Sequence, residues 1–172
     1  MNDYQLDISD LSITKDSENC RLIAYWDATG KCWTIGWGHT GPDVYAGLMW
    51  TQFKADSQLL VDMSDAENAV RRLVRVALTR DQFISLGDFV YNVGAGNFAG
   101  STLLRDINAC DMTDAAKQFL RWDLSGGKVL PGLLVRRNAE EALFILGSDY
   151  TLTTGTSTPD DSSVQTALPS LT

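Results

Sequence analysis

The spacing of apolar and polar positions changes character twice along the chain. "SDLSITKDSEN", from Ser9 to Asn19, predicts a short helix, with Ser9 or Asp10 able to cap its start and Asn19 suited to its end. "RLIAYWDATGKCWTIGWGHT" then turns aromatic and β-branched, punctuated by Gly30, Gly36 and Gly38, which predicts short strands around a tight turn near Ala28–Lys31. From Thr51 onward the period is helical. "TQFKADSQLLVDM" carries Phe53, Leu59, Leu60 and Met63 at helical spacing. "SDAE" at Ser64–Glu67 has the form of a capping box that would open a separate helix, and "TRDQ" at Thr79–Gln82 has the same form, with Gly94 as the stop. Ser101 or Thr102 can cap "LLRDINA", and Thr113 can cap "DAAKQFLRW". "SGGKVLPG" looks like a loop, and "LLVRRNAEEALFILG" like a last helix ending at Gly147. The pattern as a whole predicts an α+β protein: a small mixed N-terminal lobe, a mostly helical C-terminal lobe and a cleft between them.

Composition refines this picture. The 172 residues fit one domain of two lobes, and a hydrophobic content of 44% is enough to build a core. Residues 148–172 are rich in Ser and Thr and resemble a tail outside a domain of residues 1–147. The net charge of −8 argues against nucleic acid as a partner. The acidity lies at the ends: residues 1–20 carry −4, residues 148–172 carry −3, and the body is close to neutral. The start lacks the basic and apolar regions of a signal peptide, and no apolar run suits stable membrane insertion. The expected location is therefore the cytoplasm, with delivery of the protein left to something else if its substrate lies outside. The three cysteines and the single histidine match no zinc pattern, so neither metal nor cofactor is expected. Cys20 and Cys32 flank the aromatic stretch. A disulfide between them and three free thiols are both open at this point.

The same stretch suggests chemistry. Glycosidic bonds are cut by two carboxyl groups, one protonated and one ionised, in different surroundings. Glu18 lies at a helix end ahead of "LIAYW", Asp27 lies at a hairpin turn, and Thr34 on the returning strand can hold a water between them. Taken singly, each also has an ordinary reading: an exposed acid, a turn residue and strand filler. His39 reads as structural, and Trp26, Trp33 and Trp37 either stack on sugars or pack the hairpin.

"E-x-x-R-L-x-A-Y-x-D" followed by "G-x-x-W-T-I-G-W-G-H-T" resembles the catalytic segment of the phage-type lysozymes, glycoside hydrolase family 24. "DV-x-x-G" at Asp43–Gly47, "LTRDQF" at Leu78–Phe83, "YNVGAGNFAGSTLL" at Tyr91–Leu104 and "FLRWDLSGGKVLPGLLVRRNAEEALF" at Phe119–Phe144 extend the resemblance. It implies a lysozyme-like fold and a muramidase that cuts the β-1,4 bond between N-acetylmuramic acid and N-acetylglucosamine in peptidoglycan, with inversion. It implies Glu18 as the acid, Asp27 as the second carboxylate and Thr34 as the water-holding hydroxyl, with Thr40, Tyr91 and Ser101 facing the sugar. Trp122, Arg136 and Arg137 would organise the helical lobe, and Arg21 would pair with Glu18. The implied role is an endolysin that breaks the host wall from the periplasmic side after release. The alternatives are a virion lysozyme docked to a tail or spike through its acidic ends, and a wall-binding protein without activity. The sequence departs from the family pattern in having Asn19 after the acid, one extra residue between Asp27 and Thr34, and Cys20. That Cys20 and the extra Cys32 occur together strengthens the expectation of a local disulfide.

Overall fold

A computed structural model describes residues 2–125 and 128–153. The chain runs through α1 (Ser12–Ser17), β1 (Arg21–Asp27), β2 (Cys32–Gly36), β3 (His39–Thr40), α2 (Gln52–Leu73), α3 (Arg80–Val93), α4 (Ala95–Ala99), α5 (Thr102–Asn108) and α6 (Met112–Gln118). A 3-10 turn (Phe119–Trp122), a two-residue ladder of β4 (Leu124–Ser125) and β5 (Lys128–Val129), and α7 (Pro131–Thr153) complete it. No described helix is long and apolar enough to cross a membrane.

Two apolar clusters define the two lobes. The larger gathers Leu59, Met63 and Val70 of α2, Phe83, Leu86, Phe89 and Val90 of α3, and Phe119 and Phe144. Helix α3 lies at its centre, every residue from Gln82 to Val90 being buried. The smaller cluster is Ala24, Ile35 and Val44, with Trp33, Leu48 and Trp50 packed around it. It backs the antiparallel sheet, whose strand order is β1-β2-β3.

Several predicted boundaries hold. The hairpin turn lies between Asp27 and Cys32, which pair across the ladder. Thr79 and Gln82 form the capping box of α3, and Ser101 caps α5. Others move. Ser64 opens no helix, because α2 is continuous and its apolar stripe runs unbroken through Met63, Ala66 and Val70. Ser64 Oγ instead donates to the Val61 carbonyl at 2.6 Å. Asp111, not Thr113, caps α6 by accepting from the Asp114 amide. Ser9 and Asp10 form a turn with Asp7, and α1 starts after Leu11 without a side-chain cap. The "SGGKVLPG" loop holds the β4–β5 ladder. Of the proposed tail, residues 148–153 extend α7, and 154–172 lie outside the described residues.

The acidic N-terminus is folded onto the body. Asn2 donates to Val76 O and accepts from Leu78 N, Leu6 and Leu11 enter the core, and Asp10 pairs with Arg80 at 2.6 Å. These side chains are engaged within the domain.

Gly147 does not stop α7. It lets that helix press against the start of α3: a Cβ there would run into Thr79 Oγ1, with Asp81 Cβ at 3.1 Å and Gln82 Cγ at 3.2 Å. Gly147→Ala is expected to lower stability by about 1–3 kcal/mol, through overpacking and displacement of the Thr79 cap. Urea unfolding monitored by circular dichroism measures this.

Candidate active site

Glu18 is the residue at which α1 gives way to the strand. Its backbone is already extended (φ −104°, ψ 134°), so its side chain leaves the helix and turns toward the helical lobe. There Arg136 Nη1 of α7 donates to Glu18 Oε1 at 3.0 Å. The other carboxyl oxygen lies over the β2–β3 turn, 3.9 Å from where a Cβ on Gly38 would be. Gly36 and Gly38 have φ of +65° and +95°, so glycine at both lets this turn pass close under the carboxyl group.

Asp27 ends β1 at the opposite end of the same ladder. Its Oδ1 accepts from the Thr29 amide at 2.9 Å, and its Oδ2 would be 2.8 Å from a Cβ on Gly30. Thr34 lies between the two ends, paired with Tyr25 on one side and Thr40 on the other. Because cross-strand partners share a face, Asp27, Cys32, Tyr25, Thr34 and Thr40 lie on one side of the sheet. Trp26 and Trp33 form an edge-to-face pair on the other side, centroids 5.7 Å apart, away from the carboxylates.

Tyr91 of α3 closes the helical side, its hydroxyl donating to Trp37 O at 3.3 Å. Burial raises its phenol above the ordinary range, and Asp62 and Glu18 add to the effect. Ser101 is not drawn into this group. Its hydroxyl donates to Phe98 O and accepts from the Leu104 amide, so the cap consumes it. His39 Nδ1 faces Asp62 at 2.8 Å, and the ring packs on Trp50.

Two expectations are overturned. Arg21 is not the partner of Glu18; its guanidinium lies over the Tyr25 ring at 4.3 Å, and Arg136 takes the role. Cys20 and Cys32 are free. The hairpin register separates them: Cys32 pairs with Asp27, whereas Cys20 precedes Arg21 at the other end of β1. At about 3.3 Å per residue that interval far exceeds the roughly 7 Å a disulfide allows. Cys20 contacts Gln52 instead, and the Cys32 thiol lies 3.9 Å from Thr34 Oγ1.

Sequence reasoning missed the charged core behind Glu18. Arg136 grips Asp88 through Nε at 2.8 Å and Nη2 at 3.0 Å, and Thr14 donates to the same carboxylate. Burial opposes the charge on Asp88, but Arg136 outweighs it and the carboxyl is held below its usual range. Glu140 and Arg137 complete the set, Arg137 Nη2 being 3.3 Å from Glu140 Oε1. The available signal was Asp88, a charge inside the otherwise apolar "FISLGDFVYNV". Among the described residues no cluster suits a metal ion.

A small sheet carrying one carboxylate is thus joined to a helical lobe that fixes a second. The phage lysozyme family profile matches residues 15–140, and the chain belongs to that family. It is 39% identical over 145 residues to the endolysin of Salmonella phage P22, covering 82% of this chain and 98% of that protein. It is likewise 39% identical to the endolysin of Bacillus phage B103, covering 91% of this chain but 60% of that protein's length. A crystal structure of a P22 lysozyme variant superposes with a TM-score of 0.75 at 37% identity, covering 83% of this chain and 99% of that one.

Arg136→Ala would leave Asp88 buried and uncompensated. The expected loss is about 3–5 kcal/mol, as for other broken buried pairs. Because Asp88's carboxyl is depressed in the fold, its contribution is present above the ordinary aspartate range. It is lost as pH falls through the lowered folded value. Asp88→Asn should therefore flatten the acid limb of a stability–pH curve taken by thermal unfolding.

Proposed function

We propose that this protein is a muramidase of the endolysin type, cutting the β-1,4 bond between N-acetylmuramic acid and N-acetylglucosamine in peptidoglycan during phage lysis. The observation that carries the reading is the single β1–β2 ladder with Asp27 at one end, Glu18 over the other and Thr34 between. Glu18, backed by the helical lobe, gives its proton to the leaving glycosidic oxygen. Asp27, at the hairpin turn, acts as the base and takes a proton from a water held at Thr34. That water attacks from the opposite face, and the product is inverted. Thr40 shares the Thr34 face, and Tyr91 borders the group from α3, so both suit contacts with the sugar.

The naming of the relatives as endolysins favours the free lysozyme over the virion component. The engagement of Asp7 and Asp10 with Arg80 points the same way. The intact acid pair disfavours a wall-binding protein without activity.

Glu18→Gln should reduce turbidity clearance of purified cell walls by about 100-fold or more, with circular dichroism unchanged, since the amide cannot donate the proton. A variant retaining more than that would sink the assignment of the acid. The ladder that separates Glu18 from Asp27 leaves room for a water between them, as an inverting enzyme requires. NMR of the first-formed anomer tests this; net retention would overturn the water-attack scheme.

A further inference from the structure

The geometry around Glu18 assigns its proton to one oxygen. Oε1 accepts from Arg136 Nη1 at 3.0 Å, and a guanidinium only donates, so a proton on this carboxyl group belongs on Oε2. Oε2 is the oxygen that faces the β2–β3 turn at Gly38. Whatever fixes that turn therefore fixes the surroundings of the oxygen that must meet the leaving group. Gly36 and Gly38 allow the turn its positive φ angles but have no side chains to anchor it. The residue between them, Trp37, supplies the anchorage.

Trp37 is held from α1, α2 and α3. Its indole Nε1 donates to Asp56 Oδ1 of α2 at 2.7 Å. Its carbonyl accepts from the Tyr91 hydroxyl of α3 at 3.3 Å. Lys15 Nζ of α1 lies over its ring, 5.4 Å from the centroid. Since α1 is the helix that gives way at Glu18, the acid and the turn beneath it meet on this one side chain. Trp37 also packs against the larger apolar cluster. Asp56 is itself steadied within α2, where Gln52 Nε2 donates to the same Oδ1 at 2.9 Å. The indole N–H is thus spent on a carboxylate and is not offered to a sugar.

We propose that Trp37, held by Asp56, is a positioning residue for Glu18. The Asp56–Trp37 bond sets where the Gly38 backbone lies beneath Oε2, and so the direction in which Oε2 presents its proton. The inference rests on reading Glu18 as the acid. Arg136 grips one carboxyl oxygen from the helical lobe, and the turn confines the other from the sheet lobe. A carboxyl group gripped at one oxygen alone can still swing about that contact. A donor displaced in this way loses rate without loss of substrate affinity.

Trp37→Phe keeps a ring beneath Lys15 and removes the N–H. Gln52 still donates to Asp56, so no carboxylate is orphaned. On solubilised peptidoglycan kcat should fall about tenfold with KM little changed. Asp56→Ala should show the same loss, and the double variant no more than either, because a single bond is removed. Asp56→Asn should retain kcat, since both bonds end on Oδ1 and an amide oxygen can accept them. A purely structural role would lower the unfolding temperature and leave the kcat of the folded protein unchanged. That result, additive losses, a change in KM alone, or an Asp56→Asn as slow as Asp56→Ala would overturn the proposal. Circular dichroism establishes that each variant is folded. Asp56 is only half-buried, so its two variants decide the matter even where Trp37→Phe does not fold. Added to Glu18→Gln, Trp37→Phe should lower the residual rate no further. A Glu18→Gln protein that keeps its activity removes the acid assignment. A further loss in the double variant, with Glu18→Gln inactive, removes only the role given to Trp37.

Discussion

The structure depends on one guanidinium. Arg136 is almost wholly buried, yet it binds carboxylates from two other helices, Asp88 of α3 and Glu18 at the end of α1. A buried arginine is tolerable only if its donors are occupied and its charge is answered. Burial works against its charge, and the bonds to Asp88 more than offset this. The consequence is geometric. Glu18 stands on a short, uncapped helix and could adopt many rotamers, but it is drawn to a fixed point on the helical lobe. The core of that lobe thereby sets the position of a residue that belongs to the other.

The sheet supplies the complementary constraint. Asp27, Thr34 and Thr40 owe their common face to strand pairing, which requires only register and alternation. The closeness of Gly30 to Asp27 and of Gly38 to Glu18 shows where the hairpin ends are cut back to leave room for the carboxyl groups. One lobe is organised by backbone hydrogen bonds over a small apolar patch, the other by a large core with charge at its centre. The site is where these two kinds of order meet.

The parts of this arrangement that were legible in the sequence are those that local chemistry decides. The Thr79 capping box, the Ser101 cap and the turn before Cys32 all follow from residue type and near neighbours. The Glu18, Asp27 and Thr34 grouping was visible as a motif, and register explains why it works. What was not legible depends on distant partners. Ser64 looks like a cap until the continuous stripe of α2 against α3 decides otherwise. The cysteines look adjacent until the ladder separates them. Arg136 could be placed in the helical lobe but not matched to Glu18, because the two are 118 positions apart. Gly147 resembles a helix stop, and only the contact with Thr79 shows that it is a point of close approach.

Both ends of the described chain are stitched to the same short segment. Asn2 and Tyr4 bond to the backbone of Val76 and Leu78, while Gly147 packs on Thr79 and Ser148 accepts a hydrogen bond from Gln82. The entry to the central helix is thereby the shared anchor of the first residues and of the later turns of α7. The described fold closes on itself along a single seam, and the seam lies at residues 76–82.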